Sequence, residues 1–150
     1  MSNSKIVTTS ITINAPAAKV WDALVNPNQT KKYMFGCEPI TDWKPGSLLL
    51  WRGVFDGKQL DAVKGYVVKI EPNRYLEYTA IDPNSTIPDI PENYLTITYD
   101  LQEKDGQTRF TVTQGYYAKV ADGEHRYNDT MAEGGWEGIL RQIKKLVEEA

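Results

Sequence analysis

An apolar stripe near the C-terminus of the sequence constrains the fold more than any other feature. When residues from 130 onward are placed 100° apart around a helix, seven apolar side chains share one face: Ala132, Trp136, Ile139, Leu140, Ile143, Leu146 and Val147. Thr130 and Glu133 have the spacing of a capping box, so we expect the helix to begin there. A stripe this long must be covered, and only a sheet is large enough to cover it.

Earlier segments of the sequence supply that sheet. Residues 5–13 alternate apolar and polar side chains, as a half-buried strand does. Turns rich in Gly, Asp, Asn and Pro separate the later strand candidates, and short turns between neighbouring strands predict an antiparallel meander. The later strands are predicted at 47–55, 63–70, 74–81, 94–101 and 108–116.

Two short helices are predicted between the first strand and the rest of the sheet. Asn14 offers an N-cap oxygen to the first helix, which ends before Pro27. The second helix is predicted at 29–35, with Gly36 in the left-handed conformation that often ends a helix. Residues 82–93 and 117–129 are predicted as the two longest loops.

Composition narrows the class of protein. The chain has 150 residues, which suits one domain spanning 1–150 and a core that needs neither disulfides nor a metal. The net charge of -3 disfavours nucleic acid as a partner, and no apolar run approaches the ~18 residues of a membrane span. Because Cys37 is the only cysteine and no secretory signal is visible, we expect a reducing, cytoplasmic setting.

Three stretches of the sequence, 11–24, 45–76 and 135–146, resemble the START-related SRPBCC superfamily, whose fold is called helix-grip and is birch-pollen-allergen-like. They are most similar to the branch named for the activator of the heat-shock-protein-90 ATPase. The resemblance implies an α+β fold in which an antiparallel sheet wraps a long C-terminal helix, with an apolar pocket between them. The superfamily includes lipid carriers, cyclases, hydrolases and co-chaperones, so the resemblance leaves the activity open.

Two departures from the family pattern bear on function. Relatives often place a Trp at the end of the second helix, where this chain has Tyr33, Met34 and Phe35. The eukaryotic co-chaperone grips its client through an extra N-terminal domain, and this sequence has no counterpart of it. We therefore do not expect co-chaperone activity.

The candidate site consists of side chains that strand parity or the helical stripe points inward. An inward amide such as that of Gln114 must find partners or cost roughly 1–3 kcal/mol, and a ligand, a water or a loop carbonyl would each serve. Parity in the second predicted strand is ambiguous, and we place Trp51 inside and Arg52 outside. The alternative is that these are ordinary core residues or hydroxyls that reach the rim. The predicted ligand-binding residues are Trp51, Tyr78, Tyr99, Gln114, Tyr116, Trp136 and Leu140.

These features favour a binding module that holds a small apolar or aromatic molecule without covalent chemistry. We assign no catalytic residue, metal or cofactor, because the sequence shows no second residue with which His125 or Cys37 could carry out catalysis or bind a metal. A cyclase or hydrolase acting on an aromatic or polyketide-like substrate is one alternative. A chaperone-related or regulatory interaction domain is another. The ligand, the protein partner and the choice between monomer and homodimer stay open.

Overall fold

The chain folds into an antiparallel sheet with helices packed against its inner face. The computed structural model describes residues 6–115, 117, 120, 123–132 and 134–149. Within these residues the sheet has seven strands in the order β1-β7-β6-β5-β4-β3-β2. The elements are β1 Val7–Ile13, α1 Ala17–Val25, α2 Pro27–Thr30, β2 Glu38–Ile40, β3 Leu48–Phe55, β4 Lys58–Glu71, β5 Tyr75–Ala80, a 3₁₀ turn Pro91–Asn93, β6 Leu95–Lys104, β7 Gln107–Gly115, α3 Gly123–Ala132 and α4 Glu137–Glu148.

The predicted antiparallel meander is confirmed. Strands β2 to β7 pair with their neighbours in sequence, and β1 closes the far edge by pairing with β7. Buried and half-buried residues alternate along β5 and β6, as expected of strands with one face on the core. β2, which the sequence did not predict, adds a short edge strand beside β3.

The starts of the first two helices differ from prediction. Asn14 is not the N-cap of α1; that position is Pro16, which has no side-chain cap. Instead the carboxylate of Glu103 accepts a 2.7 Å hydrogen bond from the Ala17 N–H. A carboxylate suits a helix N-terminus, where free N–H groups carry partial positive charge. The second helix begins earlier than predicted, because the side chain of Asn26 caps it by accepting from the Asn28 N–H at 3.0 Å.

The predicted capping box is also wrong. Thr130 lies inside α3, where its hydroxyl donates to the Arg126 carbonyl at 3.0 Å, and Glu133 lies outside the described residues. Gly134 and Gly135 have φ values of 87° and 59°, a conformation that cannot continue a right-handed helix. α4 therefore starts only at Glu137, and most of the stretch predicted as a loop at 117–129 belongs to α3.

The apolar stripe of α4 packs into the sheet as predicted. Leu140, Ile143 and Val147 are buried and belong to the main core, whereas Ala132 is exposed at the end of α3. Burial of aliphatic side chains of this size stabilises the fold by roughly 1.5–3 kcal/mol each. No helix within the described ranges is long and apolar enough to cross a membrane.

Candidate functional site

A cavity of about 820 Å³ lies between the inner face of the sheet and the helices α3 and α4. Its floor comes from β3 to β7, and one side of its rim comes from the turn after α2. Small-molecule sites have volumes of about 300–1,000 Å³, so this space can hold a drug-sized molecule. Large apolar and aromatic side chains form much of its wall: Met34, Trp51, Phe55, Tyr78, Ile97 and Trp136.

A row of aromatic rings runs from β3 to the start of α4. The ring centroids of Trp51 and Tyr78 are 6.4 Å apart, those of Tyr78 and Tyr99 are 5.5 Å apart, and those of Tyr99 and Trp136 are 5.8 Å apart. The last two pairs meet edge to face, a geometry that favourably aligns ring quadrupoles. This arrangement gives the wall a rigid, largely apolar surface.

The two tyrosine hydroxyls in this row meet each other. The Tyr78 and Tyr99 oxygens are 2.8 Å apart, and both side chains are fully buried. Burial raises the pKa of Tyr78 above its ordinary value, and burial also raises the pKa of Tyr99. Both phenols are therefore neutral at physiological pH, because the low-dielectric surroundings disfavour the phenolate.

Gln114 is the centre of a polar network beside the cavity. The Trp136 indole N–H donates to the Gln114 Oε1 at 2.7 Å, and the Gln114 Nε2 donates to the Tyr117 hydroxyl at 2.7 Å. An indole N–H can only donate, which fixes the orientation of the amide. The Tyr117 hydroxyl lies 3.0 Å from that of Thr130, which donates to the Arg126 carbonyl. The network thus ties α3 and α4 to β7.

The predicted site residues fall into three groups. Trp51, Tyr78, Gln114 and Trp136 line the cavity. Tyr99 and Leu140 are buried in the core and are not among the described residues that line it, since neighbouring rings and the sheet cover them. Tyr116 lies outside the described residues. The side chain of Arg52 is directed outward, as predicted, and its Nε lies 2.7 Å from the Asp61 carboxylate.

The rim contains residues that sequence reasoning missed. Arg126, Asp129 and Thr130 reach the cavity because residues 123–132 form a helix rather than the predicted loop. The only sequence signal for that helix is the four-residue spacing of Tyr127 and Met131, which is weak.

The turn after α2 supplies another part of the rim. Phe35 is 73% exposed with a φ of 54°, and Cys37 is buried beside it. Burial raises the pKa of the Cys37 thiol. His125 is not among the described residues that line the cavity; it lies on the outside of α3, with its Nε2 3.1 Å from the Asp129 carboxylate.

Comparison with known proteins identifies the family. Residues 14–148 match the family described as Activator of Hsp90 ATPase homolog 1-like protein. The chain belongs to this family. The resemblance predicted from the sequence is therefore confirmed, and so is the helix-grip fold. No curated protein matches the sequence significantly.

Solved structures share the architecture of this Activator of Hsp90 ATPase homolog 1-like chain along its length. The solution structure of ChR145 from Cytophaga hutchinsonii is 33% identical, with a TM-score of 0.75 and coverage of 99% of this chain and 97% of that one. The Aha1 dimer from Colwellia psychrerythraea is 20% identical, with a TM-score of 0.68 and coverage of 95% and 96%. Ara h 8.0201 is 19% identical, with a TM-score of 0.65 and coverage of 97% and 98%.

Proposed function

We propose that this protein binds a small apolar or aromatic molecule, without covalent chemistry, in the cavity between the sheet and α4. The observation that carries the proposal is the cavity of about 820 Å³, whose wall is mainly aromatic and aliphatic. Apolar walls with a few placed polar groups are typical of small-molecule sites. Covering such a surface with a ligand lowers the free energy by roughly 25 cal/mol per Å² of apolar area removed from water.

The state of two polar residues in the wall, Tyr78 and Gln114, supports binding rather than catalysis. A general base works best when its pKa lies near the operating pH, whereas burial moves the pKa of Tyr78 away from neutrality. Both ends of the Gln114 amide are engaged by other side chains. These groups therefore suit orientation and selection of a ligand better than proton transfer.

A blocking variant tests the proposal. Ala62 is half-buried on β4 and lines the cavity, so Ala62→Phe would place a ring inside it. Ala18 is exposed on α1, away from the cavity, and Ala18→Phe is the matched control. Blocking the cavity is preferable to replacing Trp136, because replacing Trp136 would also leave the Gln114 oxygen without its hydrogen-bond donor.

The measurement is fluorescence titration with N-phenyl-1-naphthylamine, a neutral aromatic probe whose emission rises in apolar surroundings. We expect saturable binding to the unchanged protein and to Ala18→Phe, and binding weakened at least about ten-fold, equivalent to ~1.4 kcal/mol, in Ala62→Phe. Circular dichroism would check that both variants fold. Equal binding by all three proteins, or binding by none, would refute the proposal.

A further inference from the structure

The turn that follows α2 carries the most exposed large apolar side chain among the described residues. Phe35 is 73% exposed, and it is not among the described residues of the hydrophobic core. Its φ of 54° and the φ of 81° at Gly36 reverse the chain and leave the ring in solvent. A bulky side chain rarely adopts a positive φ, and this ring gains little packing in return. The folded core therefore does not explain a phenylalanine at this position.

A second turn lies beside the first. Cys37 packs against Gly53, where an added Cβ would lie 3.0 Å from the Cys37 Sγ. Because β2 and β3 are antiparallel, the residues just before Cys37 and those just after Gly53 come to the same end of the two strands. Val54 is 65% exposed at that end. Residues 31–36 and 54–58 together form one surface, which we call the mouth edge.

The mouth edge borders the cavity. Phe35 and Phe55 both line the cavity, although the Phe35 ring is largely in solvent. On α4, Ile139 is half-buried and lines the same cavity. The apolar lining of the cavity therefore reaches the protein surface at this edge.

The mouth edge is positively charged, unlike the chain as a whole. It contains three lysines and one acidic residue, Asp56, so its formal charge is +2, whereas the net charge of the chain is -3. Lys31 and Lys32 are exposed, and within the described part of the chain neither forms an ion pair. Asp82 and Asp129 line other parts of the cavity, so an anionic surface would meet the mouth at this edge.

A lipid surface fits this combination of side chains better than a protein does. Lysine is depleted from protein–protein interfaces. At a bilayer, an aromatic ring enters the boundary between headgroups and acyl chains, while neighbouring lysine ammonium groups stay beside the lipid phosphates. A bilayer is also deformable, so it accommodates one projecting ring without a matching pocket.

We propose that the mouth edge docks on an anionic lipid bilayer, with Phe35 inserted at the headgroup boundary and Lys31 and Lys32 beside lipid phosphates. This docking is a second interaction, separate from the proposed ligand binding, and it turns the cavity mouth toward the apolar phase. One ring and a few lysines give weak, reversible binding. The lipid partition constant should not exceed about 10⁴ M⁻¹, the value for a single myristoyl chain.

Sedimentation with sucrose-loaded vesicles measures the docking. The vesicles are pure phosphatidylcholine, or phosphatidylcholine with roughly one third phosphatidylglycerol, which supplies the anionic surface. Phe35→Asn removes the ring, and Asn tolerates the positive φ of this turn. Its control is Leu48→Asn, because Leu48 is 44% exposed and lies at the opposite end of β3.

A second pair of variants tests the charge. Lys31→Gln combined with Lys32→Gln removes two positive charges from the mouth edge. Lys44→Gln combined with Lys104→Gln changes the net charge equally at the opposite end of the sheet, where both lysines are exposed. Ala62→Phe, which blocks the cavity, separates the docking from ligand binding. Circular dichroism would check that every variant folds.

We expect the unchanged protein to sediment with the anionic vesicles, and its partition constant to fall about five- to ten-fold in Phe35→Asn. The Lys31 and Lys32 double variant should lose about ten-fold on anionic vesicles and much less on pure phosphatidylcholine. Both controls and Ala62→Phe should stay within about two-fold of the unchanged protein.

No sedimentation of the unchanged protein with anionic vesicles would overturn the docking and leave the proposed function intact. An equal loss in a mouth-edge variant and its control would also overturn it. A loss in Ala62→Phe would do the same, because lipid would then be entering the cavity instead.

One outcome identifies a protein contact in place of a lipid surface. If Phe35→Asn leaves vesicle binding unchanged but lowers the mass found by light scattering, the mouth edge joins copies of this chain and the docking is overturned. Vesicle binding by a protein that fails to bind N-phenyl-1-naphthylamine would support the docking and refute the proposed function alone.

Discussion

The two glycines at the start of the last helix should respond in opposite ways to the same substitution. Gly138 lies within the first turn of α4 with an ordinary φ, and a Cβ added there meets no atom within 4 Å. Ala is more favourable than Gly in a helix interior by roughly 0.5–1 kcal/mol, and a first-turn position should show the lower part of that range. Gly138→Ala should therefore stabilise the protein.

Gly134 also has open space around its Cα, so sterics with neighbours do not distinguish it from Gly138. The difference is its φ of +87°, which an L side chain adopts at a cost of roughly 1–2 kcal/mol. Gly134→Ala should therefore destabilise the protein, and the two variants should differ by about 1.5–2.5 kcal/mol.

Urea unfolding followed by circular dichroism measures this difference, and an unchanged m-value would show that the unfolding transition is the same. In a chain of this length, each kcal/mol corresponds to ~2–4 °C in Tm, so the melting temperatures should separate by several degrees. A continuous helix through 134–138 would make both substitutions stabilising. A shift in the same direction for both variants would therefore refute the break between α3 and α4.

Two further predictions concern close packing and pH. Gly65→Ala should destabilise the protein by ~1–3 kcal/mol or more, because the new Cβ would lie 1.5 Å from the Thr79 carbonyl oxygen in the adjacent strand. Urea unfolding measures this loss of stability, with Gly138→Ala as the control. An unchanged unfolding midpoint in Gly65→Ala would contradict the prediction. Burial raises the pKa of Tyr33, Tyr78 and Tyr99 in the folded state above the ordinary value of 10.0. The unfolded chain then releases these protons first, so the contribution of these tyrosines to the free energy of unfolding should be constant below about pH 10 and be lost as the pH rises beyond it. Tyrosinate absorbance should show these groups ionising together with unfolding, and independent ionisation in the folded protein would contradict the expected sign.

Local sequence patterns determined most of the sheet and the core face of α4. Alternation with period two identified the strands, and turn residues such as Asp56 and Gly57 marked their ends, because both signals act over a few neighbouring residues. Inward placement of Tyr78 and Gln114 followed from the same parity, whereas parity was ambiguous in the strand of Trp51. The order of these elements and the apolar stripe predicted an antiparallel sheet covering a helix, and the resemblance to the START-related superfamily implied the helix-grip fold.

Contacts between residues distant in the sequence decided what local patterns could not. The start of α1 uses Glu103, 86 residues away, in place of the nearby Asn14, because the fold places a carboxylate at the free N–H groups. The partners of Gln114 are likewise set by the fold, since Trp136 approaches it from another element.

The same contrast between local sequence pattern and tertiary contact explains the C-terminal region. Periodicity alone predicts one helix from residue 130, and a capping box can form only if the chain turns into a helix there. In the folded protein Gly134 and Gly135 take positive φ values, and Gly135 packs so closely on β1 that an added Cβ would lie 2.9 Å from Val7. The sequence determined that an apolar helix covers the sheet. Tertiary packing decided where that helix begins, because the chain must bend for α3 to reach the cavity rim while α4 buries its stripe.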